Sequence, residues 1–229
     1  MFALLQVEFF AFVLSPLLGE GFGAWEMGND AASQAAFAGA RHVTKIDLTH
    51  NRIATNAMEP RAAIGEFNTG EDRYVLRTCT QGANGMQAGI AGAVFGIDPS
   101  KLRIFTPDVG GGFGPKYPIY AEPALIAWAT RKLGRGLRWN ADRTELALAD
   151  SHSRDLVAAG ELALDADGRF LAIRVRAEAN YGAYVSMFAP SIPTTGMAKV
   201  ISGLYRIPAI RLDFDCAFTN TVPCDAIRG

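Results

Sequence analysis

A chain of 229 residues with 49% hydrophobic content has enough apolar material for a sizeable core in one or two compact units. With 22 basic and 23 acidic side chains, a formal net charge of −1 and no basic run, the sequence argues against nucleic acid or an anionic membrane as partner. The cysteines Cys79, Cys216 and Cys224 lack C-x-x-C spacing, which excludes a zinc ribbon or an iron–sulfur loop, and their odd number suits a reducing, cytoplasmic setting.

Met1 to Leu18 is apolar except for Gln6, Glu8 and Ser15, so a signal peptide is the tempting reading. No Lys or Arg precedes the run, Glu8 interrupts it, and the first basic residue is Arg41. Residues 1–24 are therefore read as an apolar N-terminal segment foreign to the domain that follows. Asp30 to Ala40 reads as a short helix capped by Asn29 or Asp30, and Val43 to Leu48 as a strand. Glu59, among apolar neighbours, needs a partner such as Arg61 or backbone N–H groups. Ala62–Phe67 and Tyr74–Thr80 are expected strands and Met86–Phe95 a small-residue helix. A turn at Gly96–Ser100 then leads into strand Leu102–Phe105, completing a β-α-β passage.

Thr106 to Lys116 follows that strand and precedes the helical spacing of Ile119–Leu133. Gly110, Gly111 and Gly112 strip the backbone of Cβ atoms, so a bulky or charged partner can reach main-chain N–H groups. The loop fits neither nucleotide fingerprint: Lys116 is followed by Tyr117 rather than a hydroxyl residue, and Pro115 stands where a dinucleotide loop wants glycine. Phe113 adds an aromatic face, which suits a planar or apolar substrate beside a polar centre. Further on, Leu137–Trp139 reads as a strand, and Asp142, Arg143 and Glu145 as a turn bearing an ion-pair set. Val157–Leu164 and Phe170–Glu178 make a hairpin through Asp165–Gly168, and Ile210–Phe218 is the last strand. His42, His50 and His152 have no ligand spacing, and Cys216 and Cys224 read as buried thiols. The expected fold class is mixed α/β (α+β), with β-α-β passages and a hairpin.

Val109–Lys116, Glu122–Trp128 and Leu137–Arg143 together resemble the molybdopterin-binding large subunit of the xanthine dehydrogenase family, in its aerobic carbon monoxide dehydrogenase branch. Asn56–Ala62, Thr80-Gln81, Ala179–Tyr184, Tyr205–Pro208 and Thr219–Gly229 lie in register with it. The resemblance covers about Trp25 to Gly229, so residues 25–229 are expected to be part of a molybdopterin-binding domain truncated at its C-terminal end.

The resemblance implies a fragment of the catalytic subunit of a molybdenum hydroxylase. It implies a molybdopterin cytosine dinucleotide cofactor, a FAD-binding medium subunit and a 2Fe-2S small subunit. Gly112, Phe113 and Gly114 are carried over as cofactor-binding residues, with the Gly114 N–H beside the metal and the Phe113 ring as one wall of the substrate pocket. Tyr117 takes the position where some members hold substrate with a glutamate, which argues against a carboxylate-held purine. Arg228 is the candidate catalytic residue, able to stabilise charge on a substrate oxygen. No protein metal ligand is expected. The cysteine that follows this arginine in true carbon monoxide oxidisers is here Gly229, so the implied substrate is an aldehyde or heterocycle. The family's glutamine falls, by rough alignment, around Asn51 to Ile53. Its general base and most pterin loops would lie beyond Gly229, so no turnover is expected from these residues alone. The alternatives are a phosphate- or nucleotide-binding module using the glycine loop, and a non-catalytic truncated remnant.

Overall fold

The computed structural model describes residues 24–228; the segment 1–24, apart from Ala24, and Gly229 lie outside the described residues. In chain order the elements are β1 (Trp25–Gly28), α1 (Asp30–Gly39), β2 (His42–His50), β3 (Ala62–Asn68), β4 (Arg73–Thr78) and α2 (Ala83–Ala88), which continues as a π-helical turn, Gly89–Phe95. They continue with β5 (Leu102–Phe105), α3 (Ala121–Leu133), β6 (Leu137–Asn140), α4 (Arg143–Ala149), β7 (Leu156–Leu164), β8 (Phe170–Gly182) and β9 (Ala209–Phe218). The fold is mixed α/β, as the sequence suggests, and divides into two compact units, each with its own sheet. Among the described residues no helix is long and apolar enough to cross a membrane.

The first unit comprises the described residues up to Ile53 together with His152–Asp225. Its sheet has the order β1-β9-β8-β7-β2. The β7–β8 hairpin turns where Asp-Gly predicts it: Gly168 has φ +79°, and Asp165 Oδ1 accepts from the amides of Asp167 and Arg169. Strand β8 runs to Gly182, further than expected, because the alternation continues: Val175, Ala177, Ala179 and Tyr181 all point into the core beside Leu212, Phe214 and Cys216. Strand β1, not anticipated, pairs with β9 and sets Trp25 edge-on to Phe214 at 5.9 Å.

Helix α1 is capped by Asn29, whose side chain accepts from Ala32 N. It packs Ala36 and Phe37 on the small side chains of Ala163, Ala172 and Ala209. The same face of the sheet carries, beside α1, a ladder of opposite charges. In it Lys45 and Arg174 both grip Glu161, and their hydrogen bonds hold its carboxyl far down, at about 2. At the end of this unit Arg52 Nε donates to Asp155 Oδ2 at 2.8 Å, and its other nitrogens donate to Val222 O at 2.9 Å and Thr221 Oγ1 at 2.7 Å. One guanidinium thus ties three segments of the unit together.

The second unit comprises Ala54–Ser151 and the residues from Ala226 onward. Its sheet has the order β5-β4-β3-β6, with β4 and β5 parallel and the other pairs antiparallel. The parallel pair is joined by the α2 crossover, the β-α-β passage expected from sequence. Ala63, Tyr74, Leu76 and Leu102 bury one sheet face against Met86, Ile90, Ala91, Ala124 and Ala127 of the helices. Residues 142–145 open helix α4 and are not an ion-pair set. Asp142 and Glu145 form a reciprocal capping box, which the D-x-x-E spacing encodes, and Arg143 donates to the carbonyls of Ala57 and Met58.

Arg61 is the buried charge of this unit. Its Nε donates to Asp150 Oδ1 at 2.5 Å, and its terminal nitrogens donate to both oxygens of Glu122 at 2.9 and 3.1 Å. The guanidinium lies 3.8 Å from the centre of the Tyr120 ring. Burial alone would raise the Glu122 carboxyl, but the hydrogen bonds and charge of Arg61 outweigh it and the net shift is downward. For Asp150 burial wins and the shift is upward.

Breaking this cluster from one side strands two partly or fully buried carboxylates. Arg61→Leu is expected to lose about 3–5 kcal/mol of stability in urea denaturation, and Arg61→Lys, which cannot form the bidentate pair, to lose an intermediate amount. For Glu161 the sign is that of a depressed carboxylate: its contribution is present above pH about 4.5 and is lost as pH falls toward about 2. The melting temperature of Glu161→Gln should accordingly vary less over that pH interval than that of the wild type.

Candidate active site

Strands β4 and β5 are parallel, Arg77 opposite Phe105, so the segments that leave them emerge at one edge of the sheet. This sets Cys79-Thr80-Gln81 alongside the loop Thr106–Lys116. Gln81 N donates to Lys116 O at 3.1 Å, and Gln81 Oε1 accepts from Gly114 N at 2.8 Å and Lys116 N at 3.3 Å. Glu59 secures the other limb. It exchanges backbone and side-chain bonds with Gly110, Glu59 N to Gly110 O at 3.0 Å and Gly110 N to Glu59 Oε2 at 2.9 Å, and the same carboxylate oxygen accepts from Lys116 Nζ at 2.8 Å.

The glycines are required by close approach of the protein to itself. A Cβ on Gly112 would lie 2.6 Å from Gln81 Oε1. Gly114 has φ +120°, and a Cβ there would lie 1.9 Å from Ala226 O. This corrects the expectation of open backbone: the amides of Gly110, Gly111 and Gly114 are bonded within the loop and its supports, whereas those of Gly112 and Phe113 have no acceptor among the described residues. The partner of Glu59 is Lys116 with the Gly110 amide, and Arg61 turns instead to Asp150 and Glu122. Burial opposes ionisation of Glu59, yet the Lys116 and Gly110 bonds prevail and lower its carboxyl. A carboxylate fixed on the loop and a buried, neutralised Lys116 are the reverse of what a phosphate cradle needs.

Above this base the structure brings together Gly112, Phe113, Gly114 and Arg228. Phe113 holds φ +60° and Arg228 φ +53°, both in the left-handed region. Arg228 N donates to Phe113 O at 3.1 Å, and the guanidinium lies 4.9 Å from the centre of the Phe113 ring. Two strained residues thus stabilise one another by a backbone bond and a cation–π contact. The ring remains 42% exposed. Tyr117 donates its amide to Gly114 O at 2.8 Å and rests its ring on Gly82, at the start of α2.

A glutamine does stand beside the loop, Gln81; in the stretch Asn51 to Ile53 the side chain of Arg52 serves the first unit. The signal for Gln81 was present in the β-α-β passage, since parallel strands deliver their following segments to the same edge. Among the described residues no group of three or more His, Cys, Asp and Glu side chains could hold a metal ion. Cys224 is buried, and burial pushes its thiol up to about 11. An exposed aromatic face, a guanidinium stacked on it and two amides without an acceptor among the described residues fit a planar group bearing polar oxygens.

Comparison with known proteins identifies the family. The family profile of the molybdopterin cofactor-binding domain matches residues 18–229. The gamma subunit of the 6-hydroxypseudooxynicotine dehydrogenase complex of Paenarthrobacter nicotinovorans is 32% identical over 193 residues, 84% of this chain and 24% of that one. The carbon monoxide dehydrogenase large chain of Hydrogenophaga pseudoflava is 30% identical over 199 residues, 87% of this chain and 25% of that one. The crystal structure of quinoline 2-oxidoreductase from Pseudomonas putida 86 superimposes with a TM-score of 0.81 at 30% identity, covering 90% of this chain and 26% of that one. The chain spans about a quarter of the length of these relatives. With a match that runs from residue 18 to residue 229, the chain belongs to the molybdopterin cofactor-binding domain family of molybdenum hydroxylase large subunits.

Proposed function

We propose that the chain is part of the catalytic large subunit of an enzyme that hydroxylates an aldehyde or a nitrogen heterocycle. The single observation that carries this reading is the pairing of an exposed aromatic ring, Phe113, with the Arg228 guanidinium 4.9 Å from its centre. A flat ring offers one wall to a planar substrate, and a permanently charged fork beside it can stabilise negative charge that develops on a substrate oxygen. Gly112, Phe113 and Gly114 are the residues that would adjoin a molybdopterin cofactor, in its cytosine dinucleotide form. When bound, that group supplies two-electron oxidation with an oxygen derived from water. The part of the chain's own residues is positional: Gln81 and Glu59 hold the loop so that the Phe113 ring and the amides of Gly112 and Phe113 keep one orientation. Tyr117 would close the substrate pocket without a carboxylate.

In this reading electrons leave through a FAD-binding medium subunit and a 2Fe-2S small subunit in the cytoplasm. Carbon monoxide is disfavoured because Gly229, which lies outside the described residues, follows Arg228 where a copper-holding cysteine would stand. The nucleotide-binding alternative is disfavoured by the Glu59 carboxylate on the loop.

The full-length subunit, expressed with molybdate, should contain molybdenum and releasable pterin and reduce a dye with an aldehyde or heterocycle. Absence of both groups, or robust carbon monoxide turnover with bound copper, would overturn the proposal. Gly114→Ala should cost about 1–3 kcal/mol from backbone strain alone, and it should lower pterin retention by displacing Ala226–Arg228. Pterin fluorescence of the purified variant against wild type checks this; equal retention would show that the approach of Ala226 to Gly114 does not matter for the cofactor.

A further inference from the structure

Among the described residues, helices cover the four-stranded sheet of the second unit on one face only. On the other, one row across β6, β3, β4 and β5 reads Arg138, Ile64, Arg77, Phe105, and the next reads Glu66, Val75, Arg103. Ile64 is 39% and Phe105 37% exposed, and the guanidiniums of Arg103 and Arg77 lie 4.3 and 5.6 Å from the centre of the Phe105 ring. Glu66 is the only carboxylate that the described strands place on this face, and Arg77 takes it at 2.8 Å. Arg73 is occupied by Glu71, while Arg138 donates weakly to Asn140 Oδ1 at 3.3 Å. Positive charge is therefore in excess here, although the chain as a whole carries −1.

The sheet of the first unit provides an internal comparison. Its charge-bearing face, at one end of which α1 packs, answers each cation with an anion, even where Arg174 stacks on Phe37: Lys45 and Arg174 with Glu161, Arg211 with Glu26 and Asp213, Arg176 with Asp215. Arginines stacked on an exposed aromatic and interleaved with Ile64 and Val75 have the composition of an interface core, where arginine and aromatic residues concentrate and lysine is scarce.

We propose that this face of the β5-β4-β3-β6 sheet docks an acidic, partly apolar surface of a companion subunit. Carboxylates of the partner would pair with Arg77, Arg103 and Arg138, whose planar forks suit bidentate contact, while apolar groups cover Ile64 and Phe105. The inference rests on the reading that the chain works within a multi-subunit enzyme. Because β5 runs directly into the glycine loop, the docked partner would also brace the strand that carries the site.

The first probe is a fluorescein-labelled peptide of alternating Glu and Leu, titrated against the chain in 50 and 200 mM salt and followed by fluorescence anisotropy. Saturable binding is expected that weakens several-fold at the higher salt and at least tenfold in R77E/R103E/R138E. Should that variant fail to fold, Arg103→Gln with Arg138→Gln replaces it, and peptide-dependent protection of the β4 and β5 amides from exchange is read instead. No binding at 50 mM, equal affinity in the variants, or tighter binding of an oligouridylate than of the peptide would overturn the proposal. In the full-length subunit the charge reversals should release the companion subunits on gel filtration with molybdenum content unchanged. Retained companions would refute the docking face, whereas absence of molybdenum from the wild type would refute the functional reading instead.

Discussion

Between Gly110 and Gly114 the loop carries only the Phe113 side chain, and the bonds that Gln81 and Glu59 make to the loop's amides are the constraint on which the site depends. A backbone stretch rich in glycine has more conformational freedom to lose than any other, so it stays ordered only where its surroundings over-determine it. Gln81 Oε1 gathers the amides of Gly114 and Lys116, and Glu59 Oε2 gathers the Gly110 amide and the buried Lys116 ammonium. Each acceptor serves two donors, so loss of Gln81 would release the amides of Gly114 and Lys116, and loss of Glu59 the Gly110 amide and the Lys116 ammonium. The positive φ values of Phe113 and Arg228 persist because this base holds the chain beneath them.

Both units use a single arginine to fasten segments far apart in sequence. Arg61 does so from the interior of the second unit, and Arg52 from the partly buried end of the first. The guanidinium suits both positions because its several donors leave in one plane and cannot be titrated away. The energetic consequences differ: in the Arg61 cluster Asp150 is buried, so that carboxylate left unpaired would have little access to water, whereas the Arg52 cluster borders solvent and tolerates imperfect pairing.

Belonging to the molybdopterin cofactor-binding family while spanning about a quarter of its relatives places the chain's chemistry in context. What these residues present is geometry: an exposed aromatic ring, a guanidinium stacked on it and a supported backbone beneath.

Local patterns in the sequence determined much of the secondary structure. Asn29 before an alanine-rich run, Asp-Gly between alternating strands, and a glycine loop between strand and helix each encode their element through nearby chemistry, and the structure follows all three. The capping box at Asp142 and Glu145 was equally legible from its spacing, although charges at that spacing also read as ion pairs. Collinear motifs from Asn56 to Gly229 determined the family. Tertiary structure alone decided which long-range partners meet: Arg61 with Asp150, Gln81 with Gly114, Phe113 with Arg228. It also gathered Arg77, Arg103 and Arg138 from three separate strands onto one face, where the sequence shows no basic run. The reason is that an element's type depends on residues a few positions apart, whereas strand order and register, which set who faces whom, depend on how whole faces bury one another.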